Sequence, residues 1–345
     1  MSLPVFQLLR PRSLDEAVKL LAQHAGKIQI LAGGTDLVPS LRQQLFAPAY
    51  VLDLRGIEEL RGVRVHENVS VEIGALTPLS AIEDSEFIRR NYPVLHEAVA
   101  VVASPVIRNM ATLGGNLCLD TRCLWYNQSL AWRKSCGFCI KSPHRANTGL
   151  AGGPEQKDGD LCHVAPGGTK CWAAFSGDTP PALLCLNAEL EIAGPAGIRR
   201  LPLCEFYTNE GDNRMRLGRD ELIARVYLPA TSAGYRGAYR KLRVRGSIDY
   251  PLAGVAVALK LRNGSDEPKV EDARVAITAV NPAPMLIESA PHALIGRVVD
   301  EHVATVVGEL AAGVARPLTT SALTPEYRRE MVRVFARRAV LAAGA

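Results

Sequence analysis

Cysteine side chains are the residues of this sequence whose type and spacing point most directly to chemistry. Thiolates are the ligands that iron–sulfur clusters, and many zinc ions, take from proteins. Disulfides are disfavoured in a cytoplasmic protein, and the start of the chain, MSLPVFQLLRPRS, predicts that location because it resembles no secretory signal. Metal or cluster ligation is therefore the leading interpretation, with scattered buried thiols as the alternative. The cysteines concerned are Cys118, Cys123, Cys136, Cys139, Cys162 and Cys171, with Cys185 and Cys204 beyond them.

Two glycine-rich segments suggest a phosphate-bearing ligand. The first is LAGGTD at 31–36 and the second is IRNMATLGGN at 107–116. Glycine lets backbone N–H groups approach a phosphate closely, and the first segment lies between a predicted strand and a predicted helix, whose N-terminus attracts anions. Neither segment is a G-x-G-x-x-G fingerprint or a P-loop. Two such loops favour one large cofactor held between them, although ordinary tight turns also use paired glycines.

Other classes of function find little support in the sequence. There is no hydrolase elbow, metalloprotease helix or phosphate-transfer loop, so the chemistry is expected to lie in carried cofactors. Forty basic and 35 acidic residues give a net charge of +5, which is too balanced to predict nucleic-acid binding. No apolar run reaches the roughly 18 residues of a membrane-spanning helix.

Helix and strand patterns alternate and predict an α+β protein. Ser13 and Glu16 form a capping box before a helix. A strand at 28–31, a helix at 37–45 and a strand at 50–54 then make a βαβ unit, and alternating valines predict a hairpin between Val63 and Ile73. Thr77 and Pro78 are a predicted N-cap and N1 pair at a helix start, and strands are expected at 182–186 and 189–192. Residues 141–170 show no apolar period and look like an insertion.

The last third of the chain is predicted to contain strands at 235–244, 255–261 and 273–280, followed by helices. Thr324-Pro325 predicts the start of the last helix. On that helix Tyr327, Met331, Val334 and Phe335 share a predicted buried face, and the arginines, including Arg328, are expected to face solvent.

Specific strings in these segments resemble one known family. AGGTDL at 32–37 and RNMATLGGN at 108–116 are similar to the signature of the FAD-binding subunits of the xanthine dehydrogenase and carbon monoxide dehydrogenase family. GDTPPALL at 177–184, the stretch 241–258 and the terminal EYRREMVRVFARRA extend the resemblance over nearly the whole chain. It implies a two-subdomain FAD-binding (PCMH-type) fold, then a C-terminal α+β domain of the carbon monoxide dehydrogenase flavoprotein type. The expected domains are 1–228, with subdomains of about 1–57 and 58–228, and 229–345.

The resemblance also implies which residues bind FAD. Those of the first glycine loop would line the pyrophosphate, those of the second would hold phosphate or ribose, and Asp178 would lie near the ribityl chain. Val102 would approach the isoalloxazine, although helix packing explains it equally well, and Lys241 could instead be a solvated strand lysine. The expected set is Leu31, Ala32, Gly33, Gly34, Thr35, Asp36, Val102, Thr112, Leu113, Gly114, Gly115, Asn116, Asp178 and Lys241.

An insertion of about 118–174 departs from the ordinary family pattern. Its strings DTRC, WYNQS, FCIK, CHV and KCWA resemble the flavin subunits of 4-hydroxybenzoyl-CoA reductases, in which a 4Fe-4S cluster is inserted. The resemblance implies that the ligands are Cys123, Cys139, Cys162 and Cys171. A zinc site that uses Cys136 and Cys139 with Cys162 and either Cys171 or His163 stays open as an alternative.

The resemblance implies an electron-transfer subunit that works with others. A large molybdenum-cofactor subunit and a small subunit with 2Fe-2S clusters are the expected partners, in a dimer of heterotrimers. Ferredoxin would supply electrons for the reductive dehydroxylation of 4-hydroxybenzoyl-CoA to benzoyl-CoA. The alternatives are a relative that acts on hydroxynicotinate, a zinc-stabilised binding module without catalysis, and a self-contained flavin reductase.

Overall fold

The computed structural model describes residues 3–68, 70–142, 159, 161–262 and 268–345. Val69 of the predicted hairpin, and most of the irregular stretch at 141–170, lie outside these residues. Within the described ranges, no helix is both long enough and apolar enough to cross a membrane.

The first part of the chain forms a three-stranded parallel sheet with strand order β1-β3-β2. The register pairs Ile28 with Tyr50 and Leu31 with Asp53, which is the βαβ pairing predicted from the sequence. Ser13 caps the first helix, where its hydroxyl accepts a hydrogen bond from the Glu16 N–H at 3.2 Å. The elements are β1 (Gln7–Leu9), α1 (Leu14–Gln23), β2 (Ile28–Leu31), α2 (Leu37–Arg42) and β3 (Tyr50–Asp53).

The second part combines a five-stranded antiparallel sheet, of order β4-β5-β8-β6-β7, with short helices. Its first two strands are the predicted hairpin. The elements are β4 (Val63–Val65), β5 (Val71–Gly74), α3 (Leu79–Glu83), α4 (Glu86–Asn91), α5 (Pro93–Ala100), α6 (Pro105–Arg108), α7 (Leu113–Leu117), α8 (Leu130–Ser135), α9 (Thr179–Cys185), β6 (Glu189–Gly194), β7 (Gly197–Pro202), α10 (Leu203–Phe206) and β8 (Leu222–Leu228).

Two sequence-based expectations in this part are wrong. The predicted strand at 182–186 lies mostly within helix α9, whose residues are all buried. A helix buried on every side has the continuous apolar pattern of a buried strand, so periodicity could not separate the two. Pro180 and Pro181, in the first turn of α9, were the signal for a helix start. Helix α3 begins at Leu79 without a side-chain cap, because the Thr77 hydroxyl donates instead to the Gly62 carbonyl at 3.0 Å.

The third part is a four-stranded antiparallel sheet of order β12-β11-β10-β9, covered by helices. Its long central pair aligns Val257 with Val275. The elements are β9 (Arg236–Leu242), β10 (Ala253–Arg262), β11 (Lys269–Thr278), β12 (Met285–Leu286), α11 (Ala290–Leu294), α12 (Glu301–Val314) and α13 (Pro325–Gly344).

The last helix begins as predicted but buries a different face. Thr324 caps α13 by accepting a hydrogen bond from the Tyr327 N–H at 3.2 Å. Tyr327 itself is 47% exposed, whereas Arg328 is fully buried. The Arg328 guanidinium donates to the carbonyls of Leu252, Leu318 and Ala279, which offsets the cost of burying it. A basic residue was expected in solvent because the sequence does not show which carbonyls lack partners.

The second and third parts share a hydrophobic core. Val94 and Leu95 of α5 belong to the same buried cluster as Tyr239 of β9 and Ala256 of β10. The close contact depends on Gly237, because a Cβ atom added there would lie 2.7 Å from the Cβ of Val94. Helix α5 therefore packs directly against the C-terminal sheet.

Candidate functional site

The two glycine loops are in direct contact. Strand β2 ends at Leu31 and helix α2 begins at Leu37, so the first loop lies between the end of a parallel strand and the start of a helix. A Cβ atom on Gly33 would lie 2.0 Å from the carbonyl oxygen of Met110 in the second loop. Gly34 adopts a φ of +78°, which other residues adopt only with strain. Only glycine fits at Gly33.

The first loop presents unused backbone donors. Among the hydrogen bonds of the described residues, none has the backbone N–H of Gly33, Gly34 or Thr35 as its donor. Backbone N–H groups without a protein acceptor need water or a ligand as a partner. A negatively charged group such as a pyrophosphate fits this requirement.

In the second loop, the N–H groups from Leu113 to Asn116 already have acceptors within the protein. Thr112 caps α7, where its hydroxyl accepts from the Gly115 N–H at 3.2 Å. The N–H groups of Gly114 and Asn116 donate to backbone carbonyls at 2.9 Å each. The Asn116 carboxamide oxygen accepts from the N–H and hydroxyl of Thr179, at 3.2 and 2.7 Å, which ties the loop to α9. These residues fix the shape of the loop rather than offer free donors.

A buried charge network lies between α9 and β9. Lys241 Nζ is 3.0 Å from Asp178 Oδ2, and the two side chains are 2% and 4% exposed. The Tyr239 hydroxyl donates to Asp178 Oδ1 at 2.9 Å. Burial raises the pKa of Asp178, although Lys241 opposes that change. Lys241 is therefore a paired, buried lysine and not the solvated strand lysine considered as its alternative.

Val102 lies next to this network. The ammonium of Lys241 also donates to the Val101 carbonyl at 3.0 Å, just beyond the end of α5. Val102 is 7% exposed, and its carbonyl accepts from Arg108 Nη1 at 2.9 Å. The structure thus brings together Val102, Asp178 and Lys241, which are far apart in sequence.

Asp36 joins the first glycine loop to the rest of the site. Its carboxylate accepts from the Tyr250 hydroxyl at 3.0 Å and from Arg122 Nη2. The Arg122 guanidinium lies over the Tyr250 ring, 4.2 Å from its centroid. Neighbouring Asp249 pairs with Lys241 at 3.4 Å, so one loop contacts both groups of predicted FAD residues. Arg122 and Tyr250 were not predicted from the sequence, although the position of Arg122 directly before Cys123 was a signal.

The four cysteines predicted as cluster ligands line one small cavity. Its wall also contains Trp125, Tyr126 and His163, while Cys118 and Cys136 are not part of it. All eight cysteines of the chain are free thiols. The structure therefore groups the sequence-predicted set, which is Cys123, Cys139, Cys162 and Cys171.

Burial favours the protonated form of two of these thiols, Cys123 and Cys171. It raises the pKa of Cys123 to about 11 and that of Cys171 to about 12, although backbone N–H groups partly oppose the change. The opposing N–H groups belong to Trp125 and Tyr126 at Cys123 and to Ala173 at Cys171. Such N–H groups also stabilise the charge on a metal-bound thiolate. Cys118, outside the cavity, has its pKa raised to about 11 by burial.

The described residues do not form a single-ion metal site. No group of three or more His, Cys, Asp or Glu side chains among them is placed to hold one metal ion. A tetrahedral zinc with bonds of about 2.3 Å to sulfur would bring its sulfurs to about 3.8 Å from one another. His163 Nε2 is 2.7 Å from the Phe138 carbonyl, and its ring stacks on Trp125 at 4.5 Å. The zinc alternative, which used Cys136 and Cys139 with Cys162 and either Cys171 or His163, therefore lacks a ligand set in the described part of the chain.

A buried ion pair adjoins the cysteine cavity. Lys141 lines the cavity, and its ammonium is 2.7 Å from Asp120 Oδ1, with both side chains 5% exposed. Burial would raise the pKa of Asp120, but Lys141 and Arg214 outweigh it and the pKa is lowered. Burial lowers the pKa of Lys141, against the opposing effect of Asp120. This pair was not predicted from the sequence, although Lys141 follows Cys139 by only two positions.

Comparisons with known proteins identify the class to which this fold and site belong. The family model described as the FAD binding domain in molybdopterin dehydrogenase matches residues 4–231, and the CO dehydrogenase flavoprotein C-terminal domain matches residues 237–343. The chain belongs to this family of FAD-binding molybdopterin dehydrogenase subunits, and it is an oxidoreductase subunit. The predicted α+β fold, with a FAD-binding part followed by a flavoprotein C-terminal domain, is confirmed.

Individual relatives match most of the chain. The carbon monoxide dehydrogenase medium chain of Afipia carboxidovorans is 29% identical over 97% of this chain and 95% of its own length. The nicotinate dehydrogenase FAD-subunit of Eubacterium barkeri is 28% identical over 74% of this chain and 69% of its own. The solved structure of reconstituted CO dehydrogenase from Oligotropha carboxidovorans aligns with 100% of this chain and 99% of that chain, at 27% identity and a TM-score of 0.77.

Proposed function

We propose that this chain is the electron-transfer subunit of a molybdenum enzyme, that it carries both FAD and a 4Fe-4S cluster, and that the enzyme is a 4-hydroxybenzoyl-CoA reductase. The observation that carries the proposal is the grouping of Cys123, Cys139, Cys162 and Cys171 around one cavity beside the flavin loops. When bound, a flavin exchanges two electrons, singly or as a pair, whereas an iron–sulfur cluster carries one at a time.

The flavin would lie along the contact between the two glycine loops. The free N–H groups of Gly33, Gly34 and Thr35 would bind its pyrophosphate, while Thr112 and Asn116 hold the second loop in place. Val102, Asp178 and Lys241 would surround the opposite end of the cofactor. The buried Lys241–Asp178 pair would fix their side chains in one arrangement, because neither charge has water to replace its partner.

A 4Fe-4S cluster agrees with the donor set of the cavity. Four thiols without disulfide partners supply the ligands that such a cluster takes, and they must lose their protons when it binds. A four-iron cluster bonds each thiolate to a different iron, so it holds the sulfurs farther apart than one ion does. The lack of a single-ion site in the described residues is therefore compatible with a cluster.

The cysteine cavity and the flavin loop are physically connected. Cys123 directly follows Arg122, which binds Asp36 of the glycine loop, and the Asp120 N–H also faces Asp36 Oδ2 at 3.5 Å. The rigid ion pair would hold the two cofactors at a fixed separation, as an electron relay requires. No residue of this connection needs to bind an organic substrate.

Ferredoxin is the proposed electron donor, and the described part of the insertion surface suits an acidic protein. Within residues 118–142 and 161–174, the sole carboxylate belongs to Asp120, which is buried. Lys134 is exposed, and Leu124, Trp132 and Leu161 are 51%, 37% and 45% exposed. An exposed lysine near apolar side chains, with no exposed carboxylate among these described residues, is compatible with a negatively charged partner.

The other partners follow from the names of relatives. Because similar chains are the medium chains of molybdenum-containing CO dehydrogenases, we propose a large molybdenum-cofactor subunit and a small 2Fe-2S subunit as partners. A dimer of heterotrimers stays a prediction. Substrate choice would belong to the large subunit, and the similarity to a nicotinate dehydrogenase subunit keeps a hydroxynicotinate-reducing enzyme as the second candidate.

Single serine substitutions test the cluster. We expect Cys123→Ser, Cys139→Ser, Cys162→Ser and Cys171→Ser, each made in the full chain and purified without oxygen, to lose most of their iron while they keep FAD. Cys136→Ser is the matched control, because Cys136 lies in the same insertion but not on the cavity. Iron, acid-labile sulfide and flavin would be measured per chain. Zinc in place of iron in the unsubstituted protein, or equal iron loss in the control, would contradict the assignment.

Substrate identity needs the assembled enzyme. With reduced ferredoxin as donor, the complex is expected to convert 4-hydroxybenzoyl-CoA to benzoyl-CoA and to leave 6-hydroxynicotinate unchanged. Turnover of the heterocycle alone would favour the second candidate and leave the cluster assignment intact.

A further inference from the structure

Lys141 is the cationic side chain on the wall of the four-cysteine cavity. It shares that wall with Cys123, Cys139, Cys162 and Cys171, and only 5% of its side chain is exposed. Its charge is therefore screened little by water, and it acts at short range on whatever the cavity holds.

The surroundings of Lys141 hold the ammonium in one place. Its Nζ donates to Asp120 Oδ1 at 2.7 Å, to the Thr121 carbonyl at 2.9 Å and to the Thr121 hydroxyl. The ammonium also lies 4.4 Å from the centroid of the Tyr126 ring. Three acceptors match the three donors of a protonated lysine, and the aromatic ring favours a cation.

The counter-charge of Lys141 lies away from the cavity. Asp120 is not on the cavity wall, and its Oδ2 is buried without a hydrogen-bond partner. Arg214 Nη1 approaches Asp120 Oδ1 at 3.5 Å and supplies a second positive charge to the carboxylate. The cavity therefore faces the positive end of the pair.

We propose that Lys141 is a positioning residue that sets the reduction potential of the cluster, by placing a fixed positive charge beside the cysteine ligands. This inference rests on the proposed 4Fe-4S site. One-electron reduction adds one negative charge to the cluster and its four thiolates, and no bond forms or breaks. A nearby cation stabilises the reduced form more than the oxidised form, so it raises the potential. The electron comes from a low-potential iron–sulfur protein in the cell and from dithionite in the test.

Asp120 has the opposite effect in this arrangement. Its carboxylate partly cancels the field of Lys141 and keeps the ammonium in place. Neutralising either member should therefore shift the potential, in opposite directions. A purely structural role for the pair would not produce that sign reversal.

A redox titration followed by electron paramagnetic resonance tests the proposal on the full chain. Lys141→Met is expected to lower the midpoint potential of the cluster by about 59 mV. For a one-electron couple this shift corresponds to a tenfold change in the equilibrium constant. Lys141→Arg keeps the positive charge, so its one-electron equilibrium constant should stay within threefold of that of the unsubstituted protein. Lys134→Met is the matched control, because Lys134 is an exposed lysine of the same insertion and should leave the potential unchanged.

Iron content separates the possible failures. An unsubstituted protein without iron would refute the proposed cluster, and the role of Lys141 would fall with it. A fully loaded Lys141→Met protein with an unchanged potential would overturn the inference. If Lys141→Met binds no cluster, Asp120→Asn decides: a raised potential supports the proposal, and an unchanged or lowered one overturns it.

Discussion

Gly33 is the residue on which the contact between the two glycine loops depends. A methyl group there would lie 2.0 Å from the Met110 carbonyl oxygen, so the loops would have to separate. Overpacking of this kind costs about 1–3 kcal/mol, and about 1.4 kcal/mol corresponds to a tenfold change in affinity. We therefore expect Gly33→Ala to weaken FAD binding by roughly tenfold, measured by fluorescence titration of the deflavinated protein.

The control for this substitution is Gly246→Ala. A Cβ atom at Gly246 would meet no atom within 4 Å, so FAD affinity should not change. Equal flavin affinity in the Gly33→Ala and unsubstituted proteins would place the pyrophosphate elsewhere.

Two buried lysine–carboxylate ion pairs lie in this site. Lys241 with Asp178 and Lys141 with Asp120 each place a lysine at 5% exposure or less against a carboxylate. Such pairs contribute little net stability, because the free energy lost on desolvation is about as large as that gained from the attraction between the charges. They are better explained as a means of fixing charge next to the proposed cofactors than as a means of holding the fold together.

At the scale of secondary-structure elements, a buried arginine anchors helix α13. Arg328 donates to three carbonyls that belong to other segments, and burial lowers its pKa to about 10. Arg328→Met would leave those carbonyls without donors, so we expect a loss of about 3–5 kcal/mol in the free energy of unfolding. Urea unfolding followed by circular dichroism would measure it.

Arg338 provides the comparison on the same helix. It is exposed, so Arg338→Met should change the free energy of unfolding by no more than about 0.5 kcal/mol. Similar urea midpoints for the two variants would mean that the carbonyls find other donors and that Arg328 does not anchor α13.

The whole molecule is expected to unfold as one unit. Helix α5 shares a hydrophobic cluster with β9 and β10, and the Glu97 carboxylate accepts from the Tyr239 N–H at 2.8 Å across the same contact. Because neither part can expose that cluster without loss of stability in the other, the full chain should show a single calorimetric transition. The van't Hoff and calorimetric enthalpies should agree. Two resolved transitions would indicate domains that unfold independently.

Much of the fold could be predicted from local sequence signals. The Ser13 cap, the βαβ unit, the hairpin at Val63 and the start of the last helix at Thr324 each depend on residues close in the chain. Helix α9 was mistaken for a strand, because burial on every side removes the period that distinguishes the two. Local signals could not show how the surroundings would bury that segment.

For the candidate site, the sequence by itself determined the types of residue: two glycine loops, and four cysteines selected by resemblance to a known kind of insertion. Only the tertiary structure decided that Gly33 touches Met110, that the four cysteines line one cavity, and that Lys141 and Arg122 join the site. These contacts join segments that are distant in sequence, and their partners are set by burial and by charge. The sequence does not distinguish a buried lysine from a solvated one. Only the packing shows which side chain has lost its contact with water.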